Sequence, residues 1–285
     1  MIHFRKYGKA PFDVAVVHGG PGAWGEMAQV AKNLSSVHGV LEPLQTADSL
    51  QGQVEELRTV LQESSDLPVT LTGYSFGAWL SFLVAAHYPS LVGKLVLIAS
   101  GPFEEKYVAR LQETRLRRLS EEERREYQSL IRILEAPAAQ DKGRFLARLG
   151  ALAAKADAYD PVDDYDPVGA CGPVMDESTE SGAGGDIQGN IFQKVWEDAA
   201  QLRRSGNLLK LGTRIHCPVV AIHGDYDPHP AEGVRNPLAA ILKDFRLILL
   251  RNCGHKPWLE QQAKDDFYRV LVQELPGFDS SQDWG

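Results

Sequence analysis

Cysteine is scarce: Cys171, Cys217 and Cys253 are the only three in 285 residues, far apart and odd in number, which argues against a disulfide framework. Long apolar runs are missing as well. No stretch is long enough to cross a bilayer. The segment from Met1 to Gly8 is polar and lacks the apolar run and small-residue cleavage site of an export signal. A cytoplasmic protein without membrane contact is expected. Positive charge is in deficit, with a formal net charge of −8, whereas phosphate binding needs concentrated Lys and Arg, so no nucleic-acid partner is expected. The basic stretch Arg115, Arg117, Arg118, Arg124, Arg125 is broken by Glu121, Glu122 and Glu123 and reads as a solvated helix face with internal ion pairs. No internal repeat occurs, and no low-complexity tract beyond Glu180–Gly189.

What is present suits one large soluble domain, or a core with an inserted lobe: 44% hydrophobic and 24% charged residues in a chain long enough to bury a substantial interior. Short β-branched or apolar runs bounded by Gly, Pro or Asp recur at Val14–Val17, Gly39–Leu41, Val69–Thr72, Leu95–Ala99, Val219–Ile222 and Arg246–Leu250. Helical patterns separate most of them, at Glu26–Leu34, Leu50–Glu63, Ala78–His87, Glu232–Leu242 and from Leu259 to about Leu275. This alternation predicts an α/β fold, a mostly parallel sheet with helices on both faces. One interval breaks the rhythm. Between Ser100 and Pro218 there are helical patterns at Ala109–Leu119, Glu121–Leu134 and Asn190–Arg204, while Asp157–Gly189 reads as loop. The expected organisation is therefore a core of residues 1–101 and 211–278, a helical lid at 102–210 and a tail at 279–285.

Four segments carry residue types suited to chemistry. Gly73-Tyr74-Ser75-Phe76-Gly77 lies between a strand and a helical pattern. A serine on that strained turn is a candidate nucleophile, glycines are needed beside it, and the N–H of Phe76 is placed as an oxyanion donor. His18-Gly19-Gly20-Pro21-Gly22 follows the strand Val14–Val17 and offers a second donor near Gly20. His18 is expected to brace that loop by hydrogen bonding. After Val219–Ile222 comes His223-Gly224-Asp225-Tyr226-Asp227-Pro228, where Asp227 is the favoured orienting carboxylate and Asp225 the alternative. The set His223, Asp225, Asp227 and His229 also admits a metal reading, but residues alternating along a loop define no facing geometry, so no metal and no cofactor are expected. Asn252-Cys253-Gly254-His255 places His255 as general base.

With serine, aspartate and histidine in that order after successive strands, the chain resembles the α/β-hydrolases outside the interval 102–210. His18–Gly22, H-G-G-P-G, is similar to the motif of the proline iminopeptidases, which remove an N-terminal proline and recognise the free amine with acidic lid residues. The resemblance implies an amine contact at Glu197, beside Trp196, or in the acidic run Asp160, Asp163, Asp164 and Asp166. Glu197 also reads as a solvated residue on an amphipathic helix. Trp24 and Tyr74 are further candidate substrate contacts. The chain departs from the family in reading Gly77-Ala78 where two glycines are usual, in Glu42–Ser49, which replaces the pattern D-x-R-G-x-G-x-S, and in an N-terminal region too short for an opening hairpin. The expectation is a serine hydrolase acting on an ester or amide of a small molecule or short peptide. Carbon–carbon bond hydrolysis with the same triad, or a non-catalytic ligand receptor, are the alternatives. Oligomeric state is left open.

Overall fold

The computed structural model describes residues 3–135, 142–162 and 183–277. Asp163, Asp164, Asp166, Cys171 and the tail 279–285 lie outside them. Seven strands form one sheet: β1 (Phe4–Tyr7), β2 (Val14–Val17), β3 (Val40–Pro43), β4 (Val69–Tyr74), β5 (Val92–Ile98), β6 (Val219–Gly224) and β7 (Phe245–Leu250). Their order is β1-β3-β2-β4-β5-β6-β7, parallel throughout except for β1, which runs antiparallel to β3 with Phe4 opposite Pro43 and Tyr7 opposite Val40.

Strands β2, β4 and β6 are buried along their whole length, as a parallel sheet covered on both faces requires. Successive side chains alternate between two cores. Val14 and Val16 point toward α1 (Ala28–Leu34) and α10 (Lys264–Gln273), where Leu34, Phe267 and Leu271 meet them. Ala15 and Val17 point the other way, toward α2 (Leu50–Ser64), α3 (Phe76–His87) and α9 (Glu232–Ile241). Helix α3 is apolar on every side and buried from Phe76 to Ala86, so it is sandwiched between the sheet and outer helices.

β5 and β6 are neighbours in the sheet but separated in sequence by α4 (Val108–Arg118), α5 (Glu121–Glu135), α6 (Lys142–Asp157), α7 (Ala183–Arg204) and α8 (Asn207–Leu211). Leu119, Tyr127, Leu130, Leu152 and Ala156 form a small core of their own in this interval.

Three local features differ from the sequence reading. An edge strand, β1, precedes Val14. None of its residues is buried, Lys6 is exposed, and Tyr7 reaches across to donate a 2.6 Å hydrogen bond to buried Glu42. Helix α6 was not anticipated, although Phe145, Leu149, Leu152 and Ala156 recur at helical spacing. The segment read as loop up to Gly189 is helical from Ala183, because α7 begins ahead of its apolar stripe. Among the described residues no helix is long and apolar enough to cross a membrane.

Candidate active site

The carboxyl ends of β2, β4, β6 and β7 deliver four loops to one rim of the sheet, the edge at which open parallel sheets bind ligands. Ser75 sits between β4 and α3 with φ +53° and ψ −114°, a conformation that costs on the order of 1–3 kcal/mol and persists only where its surroundings enforce it. The flanking glycines are part of that enforcement. A Cβ on Gly73 would lie 2.2 Å from the carbonyl oxygen of Gly77, and one on Gly77 would lie 2.3 Å from that of His18. Phe76 is the first residue of α3, so its N–H has no acceptor within the helix and opens onto the turn.

Nε2 of His255 lies 3.2 Å from Oγ of Ser75, and Nδ1 of His255 lies 2.8 Å from Oδ2 of Asp227. Both Asp227 and His255 are buried. Burial alone would push the Asp227 carboxyl up, but His255, His229 and His223 facing it hold it well below the usual carboxylate range. Asp227 is thus ionised and accepts from Nδ1 of His255, which leaves Nε2 able to take the Ser75 proton. The alternative carboxylate, Asp225, turns elsewhere: its Oδ1 accepts from the amide of Cys253 at 3.3 Å.

His18 is fully buried, and its Nδ1 lies 2.9 Å from the carbonyl oxygen of Gly20, fixing the loop that carries the second candidate donor. Burial pushes its pKa down. A side chain that the sequence did not flag completes the loop. Glu26 accepts from the amide of Gly19 at 3.0 Å and pairs with Lys256 at 2.9 Å, tying the Gly20 loop to the residue after His255. No motif marks either residue, because the pairing exists only once the two loops meet.

The interval between β5 and β6 also reaches the site. The amide of His255 donates to the carbonyl of Asp157, at the end of α6, over 3.0 Å. Glu260 accepts from the amides of Gly254, Tyr159 and Asp160 at 2.7–3.2 Å, with Tyr159 touching both carboxylate oxygens. Burial pushes the Glu260 carboxyl up, against the three N–H donors that pull it down. Asp157 is held in turn by Arg115 through Nε and Nη2, at 2.7 and 2.5 Å. A cavity of about 140 Å³ opens over Ser75 and His255, bounded by Gly20 and Tyr74 on the core side and by α6 and Pro161 on the other.

Of the remaining sequence candidates, Tyr74 lines this cavity and packs against His255, with ring centroids 5.1 Å apart. Trp24 is not among the lining residues. Its indole N–H donates to the carbonyl of Gln45 at 2.7 Å. Glu197 is exposed and paired with Arg204 at 2.7 Å, away from the cavity lining. Its neighbour Trp196 stacks between Phe192 and Trp79. Asp160 uses its carboxylate to accept from Gln262 at 3.0 Å.

For a metal, among the described residues one group brings ligand-type atoms within 4.8 Å of one another: Asp227, His229 and His255. In it each Nδ1 faces a carboxylate oxygen at 2.8 Å, the spacing of an ordinary hydrogen bond. Cys217 and Cys253 are free thiols whose pKa burial pushes up.

The model of the family described as alpha/beta hydrolase fold matches residues 46–262. No curated protein sequence matches the chain. Among solved structures it is similar to VinJ (TM-score 0.66, 17% identity, 95% of this chain and 93% of that one covered). It is also similar to an enol-lactonase from Burkholderia xenovorans LB400 (TM-score 0.57, 15% identity, 95% of each chain). A carboxylesterase study of the thaumarchaeon Nitrososphaera gargenis supplies a third neighbour (TM-score 0.58, 17% identity, 95% and 92% covered). At such identities the structures speak for the fold, and the family model spans most of the sequence. The chain belongs to the alpha/beta hydrolase fold family of enzymes.

Proposed function

We propose that the protein is a serine hydrolase that cleaves an ester or small amide through an acyl-enzyme, with Ser75 as nucleophile, His255 as general base and Asp227 as the carboxylate that orients it. The observation that carries this reading is the continuous chain from Oγ of Ser75 through His255 to Asp227, at 3.2 and 2.8 Å. His255 takes the serine proton as Oγ attacks the carbonyl carbon, and Asp227 stabilises the imidazolium. The tetrahedral oxyanion is received by the N–H groups of Phe76 and Gly20, each contributing about 3–4 kcal/mol. His255 then protonates the leaving group, and a water that it activates releases the acid. Within the interval 102–210 expected to form a lid, helix α6 closes one side of the cavity over Ser75.

The finer reading, removal of an N-terminal proline, rests on His18–Gly22 and on the Trp196-Glu197 pair. Glu197 is engaged by Arg204 outside the cavity lining, and the cavity of about 140 Å³ suits a small acyl group, so a small ester or lactone fits best. Short-chain p-nitrophenyl esters, a lactone and a prolyl anilide, offered to the wild type and to Ser75→Ala, test both levels. Ester turnover lost in Ser75→Ala supports the hydrolase, and faster anilide than ester cleavage would restore the peptidase reading. Undiminished turnover by the variant would reject Ser75.

A further inference from the structure

Asp227 divides its carboxylate between two imidazoles. Oδ2 faces Nδ1 of His255 at 2.8 Å, while Oδ1 accepts from both Nδ1 and the backbone N–H of His229, at 2.8 and 2.9 Å. The two rings are stacked, with centroids 4.3 Å apart and planes 20° from parallel. His229 is itself held from behind, since Nε2 of His223 donates to its carbonyl oxygen over 2.7 Å.

The protons in this cluster follow from its charges. Asp227 is an acceptor at both oxygens, so each facing Nδ1 carries a hydrogen. Burial first, and then the charge of His255, push His229 down to about 4, so at neutral pH it stays uncharged and is a fixed N–H dipole. Arg115 on α4 adds to that push, Arg118 on the same helix faces Asp227, and Asp157 at the end of α6 neutralises Arg115. His223 on β6 also faces Asp227, with Nε2 3.5 Å from Oδ2, the buried thiol of Cys253 lies beside the carboxylate, and Tyr74 packs against the ring of His255. Two consequences follow. Bonds on both oxygens stop the carboxylate from rotating, and a donor on Oδ1 draws negative charge away from the oxygen that faces His255.

We propose that His229 is a positioning residue for the base: through Asp227, and through its stacked ring, it fixes the orientation of His255 toward Ser75 and sets how strongly the carboxylate holds the His255 proton. The proposal rests on the serine-hydrolase reading above. No residue at this place is required by the three-residue relay.

Two substitutions separate this role from simple packing. His229→Asn keeps a polar donor near the position of Nδ1, and His229→Phe keeps a stacked ring without one, with His229→Ala replacing the latter should Phe overpack. The readouts are the acidic limb of the pH profile of kcat/KM on a p-nitrophenyl ester and the NMR titration of the His255 imidazole, assigned by its loss in His255→Gln. Removing the donor leaves the whole carboxylate charge on His255. In His229→Phe, both the limb and the titration therefore move to higher pH by roughly half a unit to one unit, and kcat falls by roughly tenfold. In His229→Asn both stay at the wild-type position. Equal shifts in the two variants, or none in either, would overturn the proposal. Absence of Ser75-dependent turnover in the wild type would instead defeat the hydrolase reading, and the NMR titration would still decide the role of His229.

Discussion

The amide of His255 donates to the carbonyl of Asp157, so the histidine proposed as base is positioned partly by a residue from the helices inserted between β5 and β6. The contact extends into a short zipper. Pro161 forms an antiparallel bridge with Glu260, Val162 donates to Leu259 at 2.9 Å and Gln261 donates to Asp160 at 2.8 Å. Arg118 reaches from α4 to the carbonyl of Tyr226, beside Asp227, at 2.6 Å. The insertion therefore braces both loops that flank Ser75.

The Arg115–Asp157 pair anchors that brace, with side chains only 15% and 6% exposed. Replacing Arg115 with Met strands a buried carboxylate, and removing one partner of such a pair costs about 3–5 kcal/mol. Urea denaturation is expected to show that loss, together with reduced kcat, because the carbonyl of Asp157 no longer holds the amide of His255 in place. A stability change under about 0.5 kcal/mol, the range of an ordinary surface substitution, would contradict the assignment.

The two aspartates after β6 make a direct comparison possible. Asp227→Asn leaves His255 facing an amide and is expected to lower kcat by about 10⁴, as loss of the orienting carboxylate does in serine proteases. Asp225→Asn alters the contact with the Cys253 amide and a long, exposed pairing with Arg251, neither of which touches His255, and is expected to leave kcat within a few-fold of wild type. Steady-state kinetics on one ester distinguishes the two, and the reverse ranking would transfer the role to Asp225.

Stability is expected to depend on pH through the same cluster. The folded-state pKa of His229, about 4, lies below its unfolded value of 6.5, so the unfolded chain binds the extra proton between those values and stability falls as pH drops through that window. The slope from this group is at most one proton, about 1.4 kcal/mol per pH unit. Asp227, also depressed, adds a loss that begins near its unfolded value of 3.8 and continues as pH falls further toward its folded-state pKa. Urea midpoints measured from pH 7 to pH 4 should therefore fall steadily in the wild type and less steeply in His229→Asn.

Backbone geometry gives a prediction that does not depend on chemistry. Gly77→Ala places a Cβ 2.3 Å from the carbonyl oxygen of His18 and 2.7 Å from that of Val17, a clash with main chain that no rotamer relieves. Loss of soluble protein, or a thermal unfolding midpoint many degrees lower, is expected. A variant as stable as the wild type would contradict this close packing.

Much of this was legible before folding. The strands β2, β4, β5 and β6 announce themselves as short β-branched runs because both faces of a parallel sheet are buried, and Ser75, Asp227 and His255 follow such strands in order. Strand β1 was hidden because an edge strand keeps polar residues such as Arg5 and Lys6. Helix α6 carried a readable stripe, but its alanine-rich sequence has weak contrast between faces. The partners of the site were illegible for a different reason. Glu26 with Lys256, and Asp157 with the amide of His255, join loops far apart in sequence, and no local pattern encodes such pairs. His229 was visible only as one of several alternating His and Asp residues, and what distinguishes it is its ring against His255.

The most direct test of the account is covalent. Incubation with a fluorophosphonate, followed by peptide mass spectrometry, should give one adduct per chain, located on Ser75, and none in Ser75→Ala or after acid denaturation. An adduct on another residue, or none on folded wild-type protein that turns over esters, would contradict the assignment of Ser75 as nucleophile.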